Sequence, residues 1–167
     1  MKNIYLIGFM GTGKSTVGSV LSTRLGVKCV EMDELIEEQQ QMAITEIFDT
    51  YGEPYFRNLE TELLRSFAGE EGLVVSCGGG SVLRDENATI MKQSGSIVLL
   101  TASPETIYER VGHSTNRPVL NGHMNVAYIR ELMEKRKARY ETVADVCIAT
   151  DGKPAETICA EILGQIS

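Results

Sequence analysis

A lysine and a serine that directly follow three spaced glycines make a phosphate-handling arrangement. Gly8-Phe9-Met10-Gly11-Thr12-Gly13-Lys14-Ser15 fits the pattern G-x-x-x-x-G-K-[ST]. The glycines let successive backbone N–H groups wrap a phosphate, and a helix starting there adds favourable partial charge. Lys14 is placed to reach β- and γ-phosphates and Ser15 to hold Mg²⁺. Gly11, Thr12, Gly13, Lys14, Ser15 and Thr16 therefore form the expected nucleotide-binding set.

A second stretch asks for a different explanation. Leu73-Val74-Val75-Ser76-Cys77 runs into three consecutive glycines, Gly78, Gly79 and Gly80. Three bare residues at a strand end discard entropy and packing together, so something must come close to the backbone there. Phosphate-loop proteins commonly carry an aspartate at the end of a neighbouring strand to support the metal shell. This strand ends in Ser76 instead, and the one aspartate that closely follows a strand is Asp33. The triplet is thus expected to face the γ-phosphate and an acceptor substrate, with Ser76 near the metal's water.

The elements that must carry these residues follow from hydrophobic patterning. Apolar runs at Ile4 to Gly8, Lys28 to Glu31, Leu73 to Ser76, Ser96 to Leu100 and Ala144 to Ala149 are continuous, as strands buried on both faces should be. Helical patterns lie between them, at about Lys14 to Leu25, Asp33 to Gln41, Ile44 to Tyr51, Glu53 to Phe67, Glu86 to Gln93, Pro104 to Val111, Val126 to Glu141 and Pro154 to Ile166. Pro104 and Pro154 suit first turns, where a missing N–H costs nothing. The expectation is an α/β, three-layer fold: a five-stranded parallel sheet flanked by helices, one domain over 1–167. The segment Gly112 to Asn125 is polar, with two glycines and a proline, and reads as a functional loop.

Composition narrows the partners. A net charge of −7 without a Lys/Arg cluster among aromatics argues against nucleic acid. The N-terminal apolar run is too short to span a membrane and shows no cleavage signal, so a cytoplasmic protein is expected. Cys29, Cys77, Cys147 and Cys159 form no CxxC pair and read as reduced, mostly buried thiols. Cys77 reads as a small residue that fits beside the glycines, although phosphate-binding donors near it could lower its pKa.

Taken in order along the chain, these features resemble the shikimate kinases, a group of small phosphate-loop kinases. The resemblance rests on Gly8 to Ser15, Glu31-Met32-Asp33, Gly52-Glu53-x-x-Phe56-Arg57-x-x-Glu60, the glycine triplet, Arg117-Pro118 with Leu120, and Lys135-Arg136 followed by Tyr140. It implies a kinase with a lid at about 112–125, which moves the ATP γ-phosphate to the 3-hydroxyl of shikimate with Mg²⁺; a monomer is the separate expectation for its assembly. The triplet would form part of the shikimate wall. Arg57 and Arg136 match carboxylate-binding positions, and a guanidinium fork suits that planar anion. Asp33 matches the residue that orients or deprotonates the attacking hydroxyl. Arg117 would neutralise charge on the transferring phosphoryl group. Arg110, Lys153 and Pro154 match adenine-side contacts.

Each residue also has a plainer reading. Arg57 could form only a surface helix pair with Glu53 or Glu60, and Asp33 could simply cap the following helix. Arg136 could belong to a solvated charge run with Lys135 and Lys137. Two departures from the family pattern stand out: Glu31 replaces an aspartate, and Ala138-Arg139 replaces Pro-Leu before Tyr140. The competing enzyme is a gluconate kinase, which would not need the triplet together with Phe56-Arg57. A nucleotide-dependent binding protein without turnover is the alternative of another class, and Lys14, Ser15, Asp33, Arg57, Arg117 and Arg136 weigh against it.

Overall fold

The computed structural model describes residues 1–111 and 125–166. Five strands, β1 (Asn3–Ile7), β2 (Cys29–Glu31), β3 (Val74–Ser76), β4 (Gly95–Thr101) and β5 (Val146–Ala149), pair in the order β2-β3-β1-β4-β5. Every pairing is parallel, with Leu6 opposite Ser76 on one side of β1 and opposite Val98 on the other. The helices are α1 (Lys14–Leu25), α2 (Met32–Gln40), α3 (Ile44–Tyr51), α4 (Glu53–Ala68), α5 (Asp85–Ser94), α6 (Pro104–Val111), α7 (Val126–Val143) and α8 (Ala155–Ile166). This is the expected three-layer arrangement. Element boundaries differ from the sequence reading by at most two residues, and those of α1, α3 and α6 coincide with it.

Alternate side chains of the central strands supply two cores. Tyr5, Ile7, Ile97 and Leu99 pack with α2 to α5 and α7, while Ile4, Leu6, Val98 and Leu100 pack with α1 and α8. Continuous apolar runs are the result. The edge strand β5 departs from that rule: Val146 and Ile148 are buried, Cys147 and Ala149 exposed. It alternates because α8 covers its inner face and nothing among the described residues covers the rest of the other.

The chain steps outward from β1 to β2, back to β3, and then across β1 to β4. β1 and β3 therefore flank the point where the winding direction reverses, and ligands of open α/β sheets gather outside the strand ends there. Gly8 to Ser15 follows β1 and the glycine triplet follows β3, so the two stretches singled out by sequence lie side by side. No described helix is long and apolar enough to cross a membrane.

Candidate active site

The phosphate loop is shaped by backbone conformation. Gly8, Gly11 and Gly13 have φ of 144°, 81° and 94°, values that L side chains rarely adopt. Gly13 is the left-handed residue from which α1 starts. Inside the loop the buried Thr12 donates its hydroxyl to the Phe9 carbonyl at 2.8 Å, which fixes the turn. Lys14 Nζ lies back across it, donating to the Gly8 and Phe9 carbonyls at 2.8 and 3.1 Å. Arg110, at the end of α6, donates to the Gly11 carbonyl at 2.8 Å. A cleft of about 340 Å³ opens here, lined by Gly11, Gly13, Lys14, Ser15, Thr16, Arg110, Glu31, Asp33, Ser76, Gly78 and Gly79.

The triplet is bare for a different reason. None of its glycines has positive φ, so conformation alone does not demand them. Space does. A Cβ on Gly78 would stand 2.9 Å from both Asp33 Oδ1 and Glu60 Oε2. On Gly79 it would meet Arg136 Nη1 at 3.3 Å, and on Gly80 the Arg57 guanidinium at 2.5 Å. The close approach inferred from sequence is thus made by the chain's own charged side chains. The candidate acceptor residues are gathered onto the triplet from α2, α4 and α7.

Geometry separates the plainer readings from the functional ones. Asp33 lies one residue inside α2, so the N-cap position itself belongs to Glu31, whose side chain makes no capping hydrogen bond. Arg57 does pair with Glu53 at 3.0 Å and Glu60 at 2.8 Å, but it is only 11 % exposed and Glu60 is fully buried. A surface helix pair does not describe it. Arg136 is half-buried with its guanidinium 5.8 Å from the Phe9 ring, whereas Lys135 and Lys137 are exposed. Arg139 turns elsewhere, donating from Nε to the Val82 carbonyl at 2.7 Å and pairing with Asp85.

Lys153 and Pro154 do not line the cleft. They connect to it through Thr150, which accepts from the Lys153 N–H at 3.2 Å and from Arg110 Nη1 at 3.4 Å. The Lys153 ammonium itself pairs with Glu161 at 3.0 Å. Arg117, and the lid segment from 112 to 124, lie outside the described residues.

Two residues of the family pattern were given no role from sequence. Glu60 closed the stretch from Gly52 and stood as a pairing partner for Arg57, yet it follows Phe56 by four residues and precedes Leu64 by four, on the buried stripe of α4. A carboxylate on such a stripe is the signal. Burial pushes its carboxyl up to about 7, with Arg57 pulling it back and Asp33 adding to the rise. Tyr140 donates its hydroxyl to the Gly79 carbonyl at 2.5 Å, and burial raises that phenol too.

The cysteines correct one expectation and qualify another. Burial drives the Cys77 thiol far upward, and nearby Lys14 offsets only part of the effect, so proximity to phosphate-binding donors does not activate it. Cys77 and Cys159 are buried as expected, but Cys29 is half-buried and Cys147 exposed.

A family model described as shikimate kinase matches residues 10–167. The chain belongs to the shikimate kinase family. A shikimate kinase of Persephonella marina is 45 % identical over 166 residues, covering 99 % of each chain. One from Thermodesulfovibrio yellowstonii is 44 % identical over 163 residues, covering 98 % of this chain and 94 % of its own. Among solved structures, the shikimate kinase of Acinetobacter baumannii in complex with shikimate superposes with a TM-score of 0.93 at 34 % identity, covering 98 % and 91 %. As a shikimate kinase the chain is an ATP-dependent phosphotransferase.

Proposed function

We propose that this chain, one kinase domain over 1–167, transfers the ATP γ-phosphate to the 3-hydroxyl of shikimate, giving shikimate 3-phosphate for aromatic amino-acid biosynthesis. The observation that carries the reading is the convergence of Asp33, Arg57 and Arg136 on the triplet, beside a cleft that holds Lys14 and Ser15. The shikimate bound by the Acinetobacter baumannii relative fits the same chemistry, with cations for one carboxylate and a carboxylate for ring hydroxyls. Gluconate gains no support from this geometry.

In this scheme Gly11, Thr12, Gly13 and Thr16 surround the phosphates with N–H and hydroxyl groups, and Lys14 leaves its loop carbonyls for the β- and γ-phosphates. Arg57 and Arg136 hold the acceptor's carboxylate. Gly78, Gly79 and Gly80 carry the backbone against which it lies. Asp33 aligns the attacking hydroxyl and accepts its proton as the O–P bond forms. Arg110, with Lys153 and Pro154 beyond Thr150, borders the nucleotide, and Arg117 neutralises phosphoryl charge on the strength of the family resemblance alone.

No group of three or more His, Cys, Asp or Glu among the described residues could hold a metal by itself. Ser15 lines the cleft beside Lys14, and its hydroxyl fits Mg²⁺, which is usually held by phosphate oxygens, water and one or two protein oxygens. Bound there, it would offset charge on the triphosphate. The protein is taken as a cytoplasmic monomer that uses neither nucleic acid nor membrane. ADP release should require Mg²⁺ and rise with shikimate but not gluconate, and no response to millimolar shikimate would overturn the assignment.

A further inference from the structure

Glu60 is a charged group that the transfer scheme leaves unused. Its side chain is fully buried, Oε1 accepts from Arg57 Nη1 at 2.8 Å, and Oε2 has no hydrogen-bond partner among the described residues. Oε2 and Asp33 Oδ1 converge on the same point beside Gly78, each 2.9 Å from the position of an added Cβ. The charged and titratable groups facing Glu60 are Arg57, with Glu53 behind it, on α4; Asp33 on α2; Arg84 at the start of α5; and the Cys77 thiol after β3. Arg84 hydrogen-bonds Asn58 and Thr61. Among the described residues, Arg57 alone is seen to bond Glu60 directly.

Arg57 is already committed on both sides. Nη1 meets Glu60, while Nε and Nη2 meet the exposed Glu53 at 3.3 and 3.0 Å. An acceptor carboxylate can enter on the Glu53 side, but it then adds a second anion to a guanidinium that neutralises a buried one. Asp33 must stay ionised to take the hydroxyl's proton. The acceptor would bring a third carboxylate beside the half-buried Asp33 and the fully buried Glu60, whose one hydrogen-bonded cation among the described residues, Arg57, it would share, an arrangement that burial penalises heavily.

We propose that binding of the anionic acceptor is coupled to uptake of one proton by Glu60, so that one carboxylate enters and one is neutralised. The proton comes from solvent and adds to Oε2, and the O–H so formed can donate to Asp33. This inference rests on the shikimate reading of the site. A carboxyl already poised near 7 in the free protein makes the exchange measurable at neutral pH.

Titration calorimetry of the full chain with shikimate at pH 8, in buffers of differing ionisation enthalpy, tests it. Wild type should show apparent enthalpies that vary with the buffer, with uptake approaching about one proton, and affinity should weaken up to about tenfold per pH unit above 7. Glu60→Gln should remove both dependences. Binding with a buffer-independent enthalpy in wild type, or undiminished uptake in folded Glu60→Gln, would overturn the inference alone. Absence of any shikimate binding would overturn the substrate reading and the inference with it. Should Glu60→Gln not fold, carboxyl ¹³C NMR of wild type decides: a glutamate titrating near pH 7 should move upward on adding shikimate, and an unmoved midpoint refutes the proposal.

Discussion

The loop after β1 and the loop after β3 each carry three glycines, and they do so under different constraints. In the first, φ is positive at all three, and the backbone itself is shaped to hold a phosphate. In the second, φ is not positive, and the glycines clear room for Asp33, Glu60, Arg136 and Arg57. A phosphate site can be written locally because its donors are consecutive N–H groups. An acceptor site needs side chains brought from α2, α4 and α7, so its glycines record those approaches without naming them.

If the nucleotide end works locally, its cation should matter most to turnover. Lys14→Ala removes a positive charge aimed at the transferring group, and kcat should fall by about 10²–10³-fold with the fold intact. Steady-state kinetics beside a far-UV spectrum reads both. A kcat near that of wild type would dissociate the cleft from the triphosphate.

The acceptor end should respond in shikimate affinity. Arg57→Ala loses charge-assisted contacts worth about 1.5–3 kcal/mol, or about 10- to 150-fold in Kd, with ATP affinity nearly unchanged. Gly80→Ala should come close to that loss because its methyl group must displace the Arg57 guanidinium, which Glu60 and Glu53 hold in place. Gly79→Ala asks Arg136 to give only a few tenths of an ångström and should cost less. Calorimetry showing equal losses at 79 and 80 would reject the side-chain explanation of the triplet.

The same contrast extends to stability against pH. Glu60 has a folded-state value of about 7, above that of a glutamate in the unfolded chain, so between about 4.5 and 7 the folded protein binds more protons. Its stabilising contribution is therefore present at low pH and lost as pH rises through that window, the reverse of a paired surface carboxylate. Urea midpoints should show a loss of about 1–3 kcal/mol across it in wild type and a flatter profile in Glu60→Gln. A slope that survives the substitution would assign the effect to other groups.

How much of this was legible in sequence depended on range. The five parallel strands and the phosphate loop followed from short apolar runs and one contiguous motif, while the order of the strands in the sheet came only with the structure. β5 was misread as doubly buried because four residues, Val146 to Ala149, show too little alternation to reveal an uncovered face. Asp33, Arg57 and Arg136 could be named through family resemblance, but their shared contact surface could not, since sequence spacing says nothing about three helices meeting one loop. Glu60 was hidden by its helix neighbours: a Glu three residues after an Arg looks like an exposed pair unless the apolar stripe through Phe56 and Leu64 is followed across it. Cys77 fits beside the glycines as read, but the lowering of its pKa by nearby cations does not follow, because burial dominates.

The smallest expected effect separates anchoring from recognition at the acceptor end. Tyr140 sits one turn after Arg136 on α7 and donates to the Gly79 carbonyl, so it ties the helix that carries the arginine to the backbone beneath it. Its hydroxyl need not touch substrate to matter. Tyr140→Phe keeps the ring and its packing but leaves that carbonyl without this donor, a loss of about 0.5–1.5 kcal/mol for one hydrogen bond. If the bond only stabilises the fold, the loss should appear in urea unfolding and leave the KM for shikimate unchanged. If it also fixes where Arg136 stands over Gly79, the KM for shikimate should rise by up to about tenfold while the KM for ATP stays put. The second outcome is expected, because Arg136 Nη1 and the Tyr140 hydroxyl meet the same residue of the triplet. Equal rises in both KM values would show that α7 serves the two ends alike and would erase the distinction between them.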